Sequence, residues 1–248
     1  MSRRHEMIEC EAMGRRVHVW CYGHFGPPVI AFPTAAGFAH EWERQSMVTA
    51  LAHLIGSGRM KLYCPESNVS QSWTHKTDHP SVRAQRHQQY ERFVVETLVP
   101  FIRQDCASAE IPMHAVGASV GGYFAANFAL KYPETFRYAL CLSGRYDITN
   151  FTEGFSNDDV YFNNPLAYLP SLEGEALDRV RNHTHLSLVC GQGPYEEGCI
   201  EETIALANVC ESKGIPHTRD IWGRDSAHDW GWWKKQTLMH LGHQLGEK

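Results

Sequence analysis

A serine among small residues is the first candidate for chemistry in this 248-residue chain. It lies in GASVGG, residues 117–122, where a predicted strand gives way to a predicted helix. Such a sharp turn requires small neighbours, exposes the Ser119 hydroxyl at the carboxyl end of a sheet, and leaves the N–H of Val120 free to bind an oxyanion. The pattern predicts a nucleophile at Ser119. The alternative is a glycine-rich crossing of helix over sheet that contains an incidental serine.

A nucleophilic serine needs a base, because an alcohol is nearly inert at neutral pH without one. The chain has 15 histidines, so position has to select among them. In a strand-turn-helix arrangement of this kind the base follows the last strand, and His228 lies six residues after Trp222, where that predicted strand ends. His228 is therefore the predicted base. A helix-capping or surface histidine is the alternative.

An acid partner is expected in the loop after the preceding strand, where it would orient the imidazole and stabilise the imidazolium. That loop, residues 191–197, reads GQGPYEE and offers two adjacent carboxylates, Glu196 and Glu197. Asp147 and Asp225 are two further candidates. The residues alone leave this choice open.

These candidates depend on a scaffold in which short β-rich runs alternate with amphipathic stretches. Predicted strands are 16–22, 29–32, 61–65, 113–117, 137–142, 185–190 and 218–222, and predicted helices are 40–55, 81–106, 120–132, 201–213 and 230–245. Pro100 is expected to end or kink the longest helix. This alternation is typical of an α/β domain with a largely parallel sheet.

Residues 146–182 interrupt the alternation with weak periodicity and many Asn, Asp, Gly and Pro residues. We predict that they form a small insertion over the active-site end of the sheet, where their aromatic side chains either shape a pocket or form a satellite core. Because no repeat or linker divides the chain, we predict a single domain over residues 1–248.

Composition limits the function classes. The chain is 43% hydrophobic and 21% charged with a formal net charge of −5, so nothing suggests a basic face for nucleic acid or for an anionic membrane. No signal-like apolar run follows the charged amino-terminal residues, and no span approaches 18 apolar residues. We therefore expect a cytoplasmic protein with reduced cysteines.

Several histidine pairs have metal-like spacings but lack a carboxylate or cysteine partner at a recognised spacing. These pairs are His183 with His185, His75 with His79, and His240 with His243. We predict no metal and no other cofactor.

Tryptophans occur near two of the candidate loops. Trp230, Trp232 and Trp233 follow His228 and either pack the last helix on the sheet or wall a pocket. Trp73, in the polar loop 66–78, is a candidate for the substrate rim.

Two longer segments carry a family resemblance. GASVGGYFAANFALKYPETFRYALCLSGRYDI (117–148) and IWGRDSAHDWGWWKKQ (221–236) resemble the esterase D-like serine esterases, whose relatives include S-formylglutathione hydrolases and mycolyltransferases. The likeness runs from about residue 28 to the carboxyl terminus, and it looks closest to a bacterial branch with an HDWPWW-type motif. It implies an α/β-hydrolase fold, with a mostly parallel sheet of about eight strands, helices on both faces and no lid domain.

The resemblance also implies site residues. Aligning Gln192-Gly193 with the Gln-Gly of the S-formylglutathione hydrolases favours Glu196 as the acid, and the loop after strand 29–32 places the second oxyanion donor on the N–H of Ala35. This chain departs from its relatives in having Pro33-Thr34 before that donor and Gly231 where the branch has proline.

The implied activity is a serine hydrolase for carboxylic or thio esters of small acyl groups. Its partner would be a small-molecule ester, with no nucleic acid or membrane, and a homo-oligomer would be compatible with the sequence. An acyltransferase with the same acyl-enzyme, and a silent scaffold that binds a ligand or partner, are the alternatives.

Overall fold

The computed structural model describes residues 2–246 and is built around an eight-stranded sheet. Its strands are β1 (Arg3–Cys10), β2 (Arg15–Tyr22), β3 (Pro28–Phe32), β4 (Lys61–Pro65), β5 (Met113–Ala118), β6 (Phe136–Leu142), β7 (His185–Cys190) and β8 (His217–Ile221). They are ordered β1-β2-β4-β3-β5-β6-β7-β8. β1, β2 and β4 pair antiparallel, and all pairs from β4 to β8 are parallel. The predicted fold class, a mostly parallel α/β-hydrolase sheet, is confirmed.

The helices connect these strands. They are α1 (Glu41–Arg44), α2 (Met47–Ala50), α3 (Ala52–Gly56), α4 (Pro80–Arg92), α5 (Val99–Asp105), α6 (Val120–Lys131), α7 (Thr149–Thr152), α8 (Asp158–Tyr161), α9 (Pro165–Tyr168), α10 (Gly174–His183), α11 (Cys199–Lys213) and α12 (Trp230–Gln244). A π-helical segment (Phe93–Leu98) joins α4 to α5, and a 3-10 turn (Leu169–Ser171) follows α9.

Two apolar cores lie on opposite faces of the sheet, because successive strand residues point to opposite sides. In β3, Ile30 and Phe32 belong to the core that α4, α5, α6 and α11 cover. Val29 and Ala31 belong to the other core, which α1 to α3 and α12 cover. This two-sided burial explains why the central strands are nearly all apolar in sequence.

Three elements differ from the sequence prediction. β1 was not predicted, because it is an edge strand with mostly exposed, charged residues. The predicted helix 40–55 is three short helices, and Ser46 adopts a left-handed φ of 61° between the first two. Of the two effects predicted for Pro100, an end of the long helix is not found: the helix continues, the preceding turn is π-helical, and the N–H of Val99 donates to the carbonyl of Val94. A wider turn of this kind relieves the clash of a proline ring with the carbonyl four residues earlier.

Residues 146–182 contain α7, α8, α9 and most of α10, so the insertion is more helical than its weak periodicity suggested. Its position over the active-site end and the single-domain organisation stay predictions. No helix among residues 2–246 is long and apolar enough to cross a membrane.

Candidate active site

Ser119 occupies the tight turn between β5 and α6. Its backbone has φ 57° and ψ −123°, a combination that L-residues rarely adopt, and its N–H donates to the carbonyl of Leu142 over 2.8 Å. The residue is half-buried. Strained backbone of this kind persists where surrounding contacts enforce it, which is common at functional sites. Val120 is the first residue of α6, and the first N–H groups of a helix have no acceptor within the helix.

Glycines make this turn sterically feasible. A Cβ at Gly117 would lie 2.2 Å from the carbonyl oxygen of Gly121, and a Cβ at Gly121 would lie 2.6 Å from that of Phe32. Both distances are far below van der Waals contact, so larger residues would displace the backbone. The second contact also brings the end of β3 against the start of α6, and the loop that follows β3 therefore begins beside the serine turn.

That loop, residues 33–37, contains the predicted second oxyanion donor. The N–H of Thr34 donates to Glu41 Oε2 over 2.7 Å, and the N–H of Gly37 donates to the carbonyl of Thr34 over 3.1 Å. The N–H of Ala36 makes a long contact, 3.4 Å, with the Thr34 hydroxyl. Within the described residues, no hydrogen bond is found for the N–H of Ala35, which is exposed.

Glu41 holds this loop through two contacts with Thr34. Its carboxylate accepts the Thr34 N–H and, over 2.6 Å, the Thr34 hydroxyl. Burial raises the pKa of Glu41 above its usual value, and the hydrogen bonds from Thr34 only partly offset that effect. A single residue thus supplies the hydrogen bonds that stabilise this carboxylate.

His228 and Glu196 are in hydrogen-bonding contact: His228 Nδ1 lies 3.2 Å from Glu196 Oε2. The Glu196 side chain is almost completely buried, whereas the His228 side chain is 19% exposed. A proton on Nδ1 satisfies this contact and leaves Nε2 as the acceptor nitrogen. Glu197 and Asp225 are exposed, and Asp147 accepts hydrogen bonds from Thr149 and Asn164 instead.

Three more donors surround the Glu196 carboxylate. The Ser143 hydroxyl donates to Oε1 over 2.6 Å, the N–H of Gly191 donates to Oε1 over 3.3 Å, and Cys190 Sγ lies 3.3 Å from Oε2. Burial by itself would raise the pKa of Glu196, but the hydrogen bonds from His228 and Ser143 outweigh it and hold the pKa below its usual value. The carboxylate is therefore charged at neutral pH.

The loops that carry Glu196 and His228 are joined through their backbones. The N–H of Gly193 donates to the carbonyl of Ser226 over 2.8 Å, and the N–H of His228 donates to the carbonyl of Pro194 over 3.0 Å. Tyr195, directly before Glu196, has a left-handed φ of 67°. The backbone of residues 191–197 thus helps to position the side chains of Glu196 and His228.

Sequence reasoning missed Ser143, and it predicted for Trp233 either packing of the last helix on the sheet or a pocket wall, but not a contact with Ser143. Trp233 Nε1 donates to the Ser143 hydroxyl over 3.1 Å, and its ring meets the His228 ring edge-on at 4.8 Å between centroids. Ser143 lies directly after β6 with a left-handed φ of 47°. Its position at the end of a strand, before Gly144, was the available signal.

A series of hydrogen bonds connects the serine turn to Glu196 and His228, which we call the acid–base pair. Ser119 bonds to Leu142, and the next residue, Ser143, bonds to Glu196, which accepts from His228. All of these residues lie at or after the carboxyl ends of parallel strands, which is one end of the sheet. The structure thus places the sequence-predicted residues at the same end.

Two tryptophans that the sequence offered as pocket or rim residues pack against other aromatic side chains. Trp73 is fully buried and packs on His87 with 4.7 Å between ring centroids, so it is not on a surface rim. Trp230, the first residue of α12, is partly buried and packs edge-on against the buried Trp42, 6.2 Å between ring centroids.

Among residues 2–246, one group of side chains could hold a metal ion. Glu196, Cys199 and His228 present ligand atoms within 4.8 Å of one another. The histidine pairs with metal-like spacing are not part of such a group within residues 2–246; His240, for example, contacts Asp220.

Comparison with known proteins identifies the class. Residues 11–243 match the model of the Esterase family, which is described as "Putative esterase". The chain therefore belongs to this family, whose class is the carboxylic ester hydrolases. No curated protein matches the chain.

Solved structures share the fold across the whole chain. A ferulic acid esterase has a TM-score of 0.77 at 16% identity, with 99% of both chains covered. MPT51 from Mycobacterium tuberculosis has a TM-score of 0.77 at 17% identity, covering 100% of this chain and 99% of its own. An S-formylglutathione hydrolase from Staphylococcus aureus has a TM-score of 0.73 at 14% identity, with 99% and 96% covered.

Proposed function

We propose that the protein hydrolyses carboxylic or thio esters of small acyl groups through an acyl-enzyme on Ser119, with His228 as base and Glu196 as its partner. The observation that carries this proposal is the 3.2 Å contact between His228 Nδ1 and Glu196 Oε2, at the end of the sheet where Ser119 lies in its strained turn. Membership of the Esterase family supports the reaction class.

In the proposed reaction, Ser119 Oγ attacks the carbonyl carbon while its proton passes to His228 Nε2. The tetrahedral intermediate collapses, the bond to the alcohol or thiol breaks, and the leaving group takes the proton from Nε2. Water then attacks the acyl-enzyme with His228 again as the base, which releases the acid and restores Ser119.

Glu196 acts on this reaction through His228. Its negative charge stabilises the imidazolium that forms when Nε2 takes the serine proton, and its contact with Nδ1 selects the tautomer that has Nε2 unprotonated. The lowered pKa of Glu196, due to its hydrogen bonds, keeps this charge in place at neutral pH.

The oxyanion would be bound by the N–H groups of Val120 and Ala35. Val120 is favoured because it begins α6 directly after Ser119. Ala35 is favoured because the N–H groups of Thr34, Ala36 and Gly37 contact acceptors within the loop or on Glu41.

The substrate class follows from the family and from the resemblance to small esterases. Two structural neighbours are a ferulic acid esterase and an S-formylglutathione hydrolase, and oxygen esters and thioesters both suit the same acyl-enzyme chemistry. Small-molecule esters of either kind are therefore the proposed partners. The cytoplasm is the proposed location.

The test is turnover of p-nitrophenyl acetate at neutral pH. Ser119→Ala and His228→Ala should each lower turnover on the order of a million-fold, because the members of a catalytic triad act as a unit. Ser212→Ala, at an exposed serine of α11, is the matched control and should retain wild-type turnover. A wild-type protein without turnover would favour a silent scaffold. Faster release of acyl groups to an added alcohol than to water would favour an acyltransferase.

A further inference from the structure

Cys199 lies directly against the acid–base pair without a part in the proposed reaction. It is the first residue of α11, its side chain is buried, and its Sγ lies 3.9 Å from His228 Nδ1. Since Nδ1 is also 3.2 Å from Glu196 Oε2, the imidazole nitrogen faces a carboxylate and a thiol together.

The three ligand atoms have spacings close to those of a tetrahedral metal site. Zn²⁺ bonds nitrogen and oxygen at about 2.0–2.2 Å and sulfur at about 2.3 Å, so its ligand atoms lie roughly 3.3–3.8 Å apart. Here two separations are 3.2 and 3.9 Å, and all of them are within 4.8 Å. Changes of at most about 1.5 Å in these separations would give ligand spacings suited to the ion.

We propose that Glu196, Cys199 and His228 bind a thiophilic divalent cation such as Zn²⁺, and that this binding reversibly inhibits the enzyme. The combination of carboxylate, thiolate and imidazole suits zinc and cobalt better than magnesium or calcium, which prefer oxygen ligands alone. The His228 side chain is 19% exposed, so the three ligand atoms lie close to the protein surface.

Cation binding would inhibit the enzyme because it changes which nitrogen of His228 carries the imidazole proton. The cation takes the lone pair of Nδ1, so the imidazole proton moves from Nδ1 to Nε2, and the Cys199 thiol releases its proton to solvent as sulfur bonds the metal. One proton is released for each cation bound. With Nε2 protonated, His228 cannot accept the Ser119 proton. This consequence for activity rests on the proposed function, whereas the metal site itself does not.

Co²⁺ serves as the spectroscopic probe because a cobalt–thiolate bond gives an intense near-ultraviolet absorption. Wild-type protein should show this band on titration with Co²⁺, and Cys199→Ser should weaken Co²⁺ binding at least ~100-fold. Cys210→Ser, at another buried cysteine of the same helix, is the matched control and should titrate like the wild type. Zn²⁺ should displace Co²⁺ and remove the band.

Turnover of p-nitrophenyl acetate is measured in the same samples. Zn²⁺ should inhibit the wild type and Cys210→Ser, a chelator should restore turnover, and Cys199→Ser should need at least ~100-fold more Zn²⁺. The absence of a Co²⁺ band in wild type, or an equal band in Cys199→Ser, would overturn the metal site. A Co²⁺ band together with no turnover in metal-free protein would instead overturn the proposed function and leave the metal site standing.

Discussion

Two buried glutamates near the carboxyl ends of the strands have opposite pKa shifts. Glu196 and Glu41 are 1% and 6% exposed, so burial disfavours the charge of both. Glu196 accepts from His228, Ser143 and Gly191, and its pKa is lowered. Glu41 accepts only from Thr34 in the described contacts, and its pKa is raised.

The difference shows that burial does not decide the charge of a carboxylate; the number and kind of donors decide it. At Glu196, the hydrogen bonds from an imidazole that can become charged, a hydroxyl and the Cys190 thiol outweigh desolvation. The two donors of one threonine do not outweigh it at Glu41. We therefore expect Glu196 to act as a charge and Glu41 to act as a support for the loop of residues 33–37.

The largest expected contrast is between the two glutamine variants. Glu196→Gln should lower turnover on the order of 10⁴-fold, because the neutral amide neither stabilises the imidazolium nor selects the tautomer. Glu41→Gln keeps an acceptor for the Thr34 N–H, so its turnover should fall by less than about tenfold. Turnover of p-nitrophenyl acetate and circular-dichroism melts check both variants. Equal losses in two folded variants would refute the distinction.

A second contrast lies within the loop that Glu41 supports. Ala35→Pro removes the N–H assigned to the oxyanion and should lower turnover by about 100 to 1,000-fold. Ala36→Pro removes an N–H with only a 3.4 Å contact to Thr34 and is the matched control, with a loss below about tenfold. If Ala36→Pro is the more damaging of two folded variants, the second donor is assigned one residue too early.

Ser143 tests how much of the Glu196 charge depends on a neighbour. Ser143→Ala removes a hydrogen bond to a charged group and should destabilise the fold by about 1.5–3 kcal/mol, with turnover about tenfold lower. Ser187→Ala is the control, since that buried serine contacts a neutral hydroxyl, Tyr138, over 3.0 Å. Urea unfolding and steady-state kinetics give both quantities. If Ser143→Ala has the stability and turnover of the wild type, the other donors are sufficient to stabilise the Glu196 charge.

The smallest expected effect is a difference in the pH dependence of stability. The raised pKa of Glu41 favours the folded state below the usual value of 4.5, and this contribution disappears as the pH rises through the folded pKa. The lowered pKa of Glu196 favours the folded state above 4.5, and this contribution is lost as the pH falls through the folded pKa. Urea unfolding at pH values around 4.5 gives the free energy of unfolding of the wild type and of both glutamine variants. The difference between wild type and Glu41→Gln should fall as the pH rises, and the difference between wild type and Glu196→Gln should rise. Slopes of the same sign would contradict the assignment.

Most of the scaffold could be predicted from the sequence, because buried strands are short apolar runs ended by glycine or proline. The bounds 61–65 and 185–190 agree with β4 and β7. β1 could not be predicted in this way, since an edge strand has few buried positions. The break at Ser46 also has no clear local signal, because the helical spacing of the buried residues continues across it.

The geometry of the candidate site was predictable where it depends on local backbone. GASVGG specifies its own turn, because the glycines it requires are adjacent in the chain. The choice between Glu196 and Glu197 depends instead on the left-handed Tyr195 and on the contacts with the His228 loop. Cys199 reaches the Glu196–His228 pair only through tertiary packing, and the one sequence signal for Ser143 was its position between the end of β6 and Gly144.

Reaction with a fluorophosphonate, followed by intact-mass and peptide mass spectrometry, tests most directly whether the Ser119 hydroxyl is activated by His228. We predict one adduct per wild-type chain, located on Ser119, with no adduct on folded Ser119→Ala and strongly slowed reaction of His228→Ala. An unlabelled wild-type protein, or an adduct on another residue, would contradict the account.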